Sequence, residues 1–183
     1  MLTQLGVAFE VRVPAIDETR RANEGPAELA ERLAREKATH EAEAGRLAFG
    51  FDTLVAYEGE ILGKPSSPAE AVAMVERLAG AEHVVYSGIA AATPDRVVSA
   101  VEKTRVWFRD LAPGEAAAYV ATGEPLDKAG AYGIQGAGAA LVRSIEGDFF
   151  NVLGFPIQRF LGLLDAFGLG YDFRGVTPLR EEP

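Results

Sequence analysis

The 183 residues are enough for one sizeable core and too few for several independent domains. Apolar residues make up 48% and charged residues 25%, and no apolar run reaches bilayer length, which excludes a helical membrane span. A net charge of −9 speaks against a nucleic-acid duplex as partner, zero cysteines exclude disulfides and thiolate metal sites, and no basic-then-apolar leader opens the chain, so a cytoplasmic protein is expected.

The chain begins with a stretch that has the form of a last helical turn closed by Gly6. Residues 7–13 alternate well enough to predict a strand, and Asp17 and Glu18 follow just past its end. Over 26–44 the spacing predicts a helix, with Leu29, Ala30, Leu33, Ala34 and Ala38 on one stripe and Gly45 as its stop. Lys37, four residues after Leu33, lies on that stripe and reads either as a lysine snorkelling to the core edge or as a ligand contact.

Residues 47–51 predict a short apolar strand running into Asp52 and Thr53, after which 54–57 and 60–62 flank the Glu58-Gly59 turn as a hairpin. An aspartate buried by its neighbours requires a metal, a lysine or a hydrogen-bond set, unless it holds a turn through its own backbone. Ser67-Pro68-Ala69-Glu70 is a capping box with proline at the first helical position, predicting a helix to Leu78. Residues 83–91 and 97–108 read as an antiparallel pair about Thr93-Pro94-Asp95. Pro113 opens a further helix that Gly123 ends. Residues 139–145 return to strand, and a last helix starts at Pro156, with Ile157, Phe160, Leu161 and Leu164 facing the core. Residues 1–172 are expected to form one domain and 173–183 a frayed tail.

Residues 123–138 set charged and amide side chains among glycines with little apolar bulk. Glycines allow close backbone approach to a ligand, while Asp127, Lys128 and Gln135 supply an acceptor or metal ligand, a fixed positive charge and a two-faced amide. Gly63-Lys64-Pro65 is too short for a Walker motif, yet a lysine held by proline after a tight turn suits a phosphate. His40 and His83 form no metal pattern and read as structural or exposed. The acids Glu18, Asp52 and Asp127 with the lysines Lys37, Lys64 and Lys128 suit phosphoryl chemistry: carboxylates hold Mg²⁺ or Mn²⁺, lysines neutralise phosphate oxygens, and a carboxylate left off the metal activates water.

Taken together, Leu33-Ala34-Arg35-Glu36-Lys37-Ala38, Gly50-Phe51-Asp52-Thr53, Gly59-Glu60-Ile61-Leu62-Gly63-Lys64-Pro65, Thr104-Arg105-Val106, the 123–138 segment and Asn151-Val152-Leu153-Gly154-Phe155-Pro156 resemble the Maf family of nucleotide pyrophosphatases, over roughly residues 5–167. The resemblance implies an α/β fold with an elongated mixed sheet flanked by helices, two lobes around a cleft, similar to inosine-triphosphate pyrophosphatase. It also implies a homodimer and a divalent cation. On this resemblance Asp52 is the proton acceptor, and Thr53 and Gln135 help set base choice; the reading of the acids and lysines adds Lys37, Lys64 and Lys128 against the phosphates and Glu18 and Asp127 helping to hold the metal. Glutamine in Gly-Ile-Gln-Gly resembles the branch acting on dTTP and UTP, whereas the branch associated with 7-methyl-GTP tends to carry glutamate.

Two departures from the family pattern stand out. Phe51 replaces a small residue before the aspartate, adding bulk beside the cleft. The family's opening strand and Ser-x-Ser-Pro-Arg-Arg loop have no counterpart, so an N-terminally short or degenerate member is expected. The reading is a pyrophosphatase for dTTP and UTP; the alternatives are a nucleotide- or partner-binding protein without catalysis, and a pyrophosphatase for modified nucleotides such as 7-methyl-GTP.

Overall fold

The computed structural model describes residues 1–179. Helix α1 (Pro26–His40) starts at Gly25, whose N–H is taken by the Glu28 carboxylate at 2.8 Å, and it buries the expected stripe from Leu29 to Ala38. Strand β1 (Ala48–Tyr57) turns through Glu58 and Gly59, both at positive φ, into β2 (Glu60–Leu62). Helix α2 (Pro68–Leu78) is capped by Ser67, whose hydroxyl accepts the Glu70 N–H, and it buries Ala71, Val75 and Leu78. The long hairpin of β3 (Glu82–Thr93) and β4 (Arg96–Phe108) follows, then α3 (Glu115–Val120), three 3₁₀ turns, β5 (Val142–Glu146), α4 (Phe149–Val152), α5 (Ile157–Ala166), β6 (Leu169–Tyr171) and β7 (Val176–Pro178).

The main sheet runs β2-β1-β3-β4-β5, with β6 and β7 as a separate pair. Side chains alternate across it, so its two faces do different work. On one face lies α1, brought down until its backbone touches the strands: a methyl at Gly50 would overlap the Ala34 carbonyl, and one at Gly88 the Ala30 carbonyl. The opposite face carries two apolar clusters. Val55, Val85, Val106 and Phe108 pack with Val75 and Leu78 of α2 and with α3 residues, while Ile89 and Ala91 pack with Phe160, Leu163 and Leu164 of α5 and with Phe49 and Phe51. The seam between the clusters is polar, at Thr53 and Ser87. These are the two halves of the expected α/β arrangement.

Several expectations are corrected. The sheet implied to be mixed has only antiparallel pairs among the described residues. Residues 7–13 carry no strand: Phe9, Val11 and Val13 are 51%, 76% and 92% exposed, and alternation without a ladder partner makes only extended chain. Asp52 does not follow a short strand but sits inside a ten-residue one, paired with Gly88. Helix α1 stops at His40, short of Ala44. Residues 136–141 wind into a 3₁₀ turn, leaving β5 to start at Val142. In the expected tail, Val176–Pro178 pairs with β6, and residues 180–183 lie outside the described residues.

Candidate active site

A cavity of about 880 Å³ opens beside β1, and all eight residues singled out from the sequence line it: Glu18, Lys37, Asp52, Thr53, Lys64, Asp127, Lys128 and Gln135. Asp52 points to the α1 face of β1, where the close approach at Gly50 and Gly88 brings Lys37 to it. The Lys37 ammonium donates to Asp52 Oδ1 at 2.7 Å and pairs with Glu18 at 2.9 Å. Asp52 Oδ2 is buried with no hydrogen-bond partner. Burial raises the proton affinity of Asp52, the hydrogen bond and charge of Lys37 oppose it, and burial wins. On Lys37 burial also acts against the charge, but the bonds to Asp52 and Glu18 outweigh it, so the ammonium is held above its ordinary pKa. The result is a half-anchored carboxylate that takes a proton readily.

Three lysines were read as phosphate contacts, and the structure treats each differently. Lys37 is already compensated by two carboxylates. Lys128 donates to Asp127 Oδ1 at 2.6 Å and to the Glu124 carbonyl at 2.7 Å. Lys64 forms no ion pair among the described residues, and its charge acts on both Asp52 and Asp127. The Gly130 N–H bonds to the Gly63 carbonyl at 3.0 Å, tying the Gly-Lys-Pro turn to the segment bearing Lys128.

Thr53 faces away from α1. Its Oγ1 lies 2.9 Å from Ser87 Oγ, which donates to the Asn151 carbonyl at 2.9 Å. Because the Ser87 proton is committed there, Thr53 must donate to Ser87, leaving Oγ1 an acceptor toward the cavity. Asn151 is fully buried and donates to the Val85 carbonyl and to Thr104 Oγ1, fixing the wall formed by Val152, Leu153 and Gly154. Phe51 lines the cavity and packs against Phe155 in a tilted arrangement, with ring centroids 5.2 Å apart.

The family described as Maf-like protein matches residues 1–167. The chain belongs to the Maf family. Among its curated relatives, a dTTP/UTP pyrophosphatase of Moorella thermoacetica is 49% identical over 174 residues, covering 92% of this chain and 89% of the relative. One of Symbiobacterium thermophilum is 46% identical over 170 residues, covering 92% and 88%, and one of Bacillus cereus is 44% identical over 171 residues, covering 92% and 90%; both carry the same name.

In this Maf chain the two carboxylates read as metal ligands are not gathered into one cluster. Glu18 is tied to Lys37 and Asp127 to Lys128, and no group of three or more His, Asp or Glu side chains converges among the described residues. Residues that sequence reasoning left unassigned support the walls of the cavity. Ser87 is concealed in the apolar run of β3, Asn151 was visible only as part of a motif, and Glu124 sat unassigned within the glycine-rich segment. His83 is buried, with Nε2 2.7 Å from Tyr132 Oη, and belongs to the core beneath the site. His40 lies on the exposed end of α1.

Proposed function

We propose that this chain is a nucleoside triphosphate pyrophosphatase, hydrolysing dTTP and UTP to the nucleoside monophosphate and pyrophosphate. The observation that carries the reading is Asp52, one oxygen held by Lys37 and the other buried without a partner, at the wall of a cavity that Lys64 and Lys128 also line. The names of the relatives support the substrates.

In this reading the Asp52 carboxylate takes the proton of a water attacking the α-phosphorus. The new P–O bond stays in the monophosphate, while the bond from the α-phosphorus to the bridging oxygen breaks and its electron pair leaves with pyrophosphate. The raised proton affinity of Asp52 makes it a more effective acceptor near neutral pH. Lys64 and Lys128 neutralise the phosphate oxygens, where preorganised charge counts most. Thr53 Oγ1, an acceptor only, matches the N3–H of a uracil or thymine ring, and the exposed amide of Gln135 both donates and accepts toward the ring carbonyls.

A divalent cation, Mg²⁺ or Mn²⁺, belongs to the proposal. Glu18 and Asp127 do not converge with Asp52 into one cluster, so each would offer the cation a single oxygen outside its lysine pair, and substrate phosphates would complete the shell, as is common for Mg²⁺ held by one or two carboxylates. When bound, the cation withdraws charge from the phosphate oxygens. The same reading includes the homodimer implied by the family and the cytoplasmic setting expected from the sequence. Among the described residues no helix is long and apolar enough to cross a membrane.

Hydrolysis of dTTP in ¹⁸O-labelled water tests the chemistry. The label should enter the thymidine monophosphate; label in pyrophosphate, or release of inorganic phosphate, would contradict attack at the α-phosphorus.

A further inference from the structure

The glycines of residues 133–138 form a cradle, and a side chain of this protein fills it. Glu124 Oε1 accepts from Tyr119 Oη at 3.0 Å and from the Gly138 N–H at 3.0 Å, while Oε2 accepts from the Ala137 N–H at 2.8 Å. Tyr119 Oη in turn accepts the Gly133 N–H at 3.2 Å. A methyl at Gly136 would overlap the Glu124 carboxylate, and one at Gly138 would overlap the Gly133 carbonyl and the Tyr119 hydroxyl. These two glycines make room for an internal carboxylate. Gln135 lies between the pinned residues: Gly133 on one side, Ala137 and Gly138 on the other. Its neighbour Ile134 is buried, and its own amide is exposed at the cavity with no hydrogen-bond partner among the described residues.

We propose that Glu124 is the positioning residue for Gln135 and thereby sets the selectivity of the site between nucleotide bases. The inference rests on the reading of Gln135 as a base contact. Glu124 does not meet the base, since its oxygens are taken up by the loop. It holds Ala137 and Gly138 directly and Gly133 through Tyr119, so that the amide waits in one place, and the binding cost of ordering the loop is met on folding. Burial works against its charge, but the two N–H groups and the Tyr119 hydroxyl outweigh it and keep the carboxyl ionised.

The test compares the wild type with Glu124→Gln, Glu124→Leu and Tyr119→Phe, using dTTP, UTP and GTP, with amide hydrogen exchange over residues 133–138. Glu124→Gln should lower kcat/KM for dTTP and UTP about tenfold, mainly through KM, with a smaller change for GTP, so that the pyrimidine-to-GTP ratio falls; Glu124→Leu should lower it further. Tyr119→Phe, which leaves the carboxylate in place, should shift the ratio less in the same direction. Equal losses on all three nucleotides would overturn the proposal and leave Glu124 a folding residue. If the wild type turns over no nucleotide, the functional reading has failed, and exchange decides the positioning claim by itself: faster exchange at Ala137 and Gly138 in Glu124→Gln supports it, and unchanged protection overturns it.

Discussion

Lys37 Nζ stands 2.7 Å from Asp52 Oδ1 across the gap that Gly50 and Gly88 close between α1 and β1. The pair is a consequence of backbone contact, since only strands without side chains at those two positions let the helix come so near. Lys37→Met removes the one cation bonded to Asp52 among the described residues. The Asp52 pKa, already raised by burial, then rises further, and because the base must be ionised, the acid limb of kcat/KM moves to higher pH. The pair is only partly shielded, so the stability cost should be about 2 kcal/mol, below that of a fully buried pair. A pH–rate profile and urea unfolding measure both.

Gly50→Ala and Gly88→Ala push α1 off the sheet. Each should lower stability by about 1–3 kcal/mol or more, because the clash is with backbone that has no rotamer to adopt. Each should also shift the acid limb in the direction of Lys37→Met, since the lysine is carried away with its helix. Thermal unfolding and the same pH profile test this, and an unmoved acid limb would separate the glycines from the lysine–aspartate pair.

His83 gives the fold a pH dependence of known sign. Burial pushes its pKa down from the ordinary 6.5 to about 4, so between those values the unfolded chain holds a proton that the folded chain does not. The contribution of His83 to stability therefore falls as pH drops from 6.5 to 4, by about 3 kcal/mol in full. Asp52, with its raised pKa, acts in the opposite sense on acidification. In urea unfolding at pH 7 and pH 4.5, His83→Gln, which keeps a polar end for Tyr132, should lose less stability on acidification than the wild type. Equal losses would contradict the assignment.

Asn151→Ala takes a donor away from the Val85 carbonyl and from Thr104 Oγ1, which keeps only its own bond to the Asp148 carbonyl. Each lost partner costs about 1–3 kcal/mol, so a loss of about 3 kcal/mol in unfolding free energy is expected. The wall at Leu153 and Gly154 should loosen with it, raising KM for dTTP.

Much of this was readable in the residues. Leu29, Leu33 and Ala34 announced both a helix and its buried face, and the placement of Lys37 four residues after Leu33 put an ammonium on that face. Apolar neighbours around Asp52 foretold burial and a partner. What failed had physical reasons. The alternation of Val7, Phe9, Val11 and Val13 says what a strand would look like but not whether another backbone lies within reach. Gly50, Asp52 and Thr53 broke the apolar pattern of β1, although a central strand tolerates them when a helix and a polar seam receive their two faces. Glycine spacing at 133–138 signals a cradle without saying what fills it, so Glu124 passed as one more charge in a loop.

The most direct test of the account is pyrophosphate release from dTTP by the wild type and Asp52→Asn, measured beside dTTP binding. The wild type should release pyrophosphate, and the variant should bind dTTP while turning it over about 10²–10⁴-fold more slowly. Wild-type turnover retained by Asp52→Asn would contradict the claim that this carboxylate receives the proton.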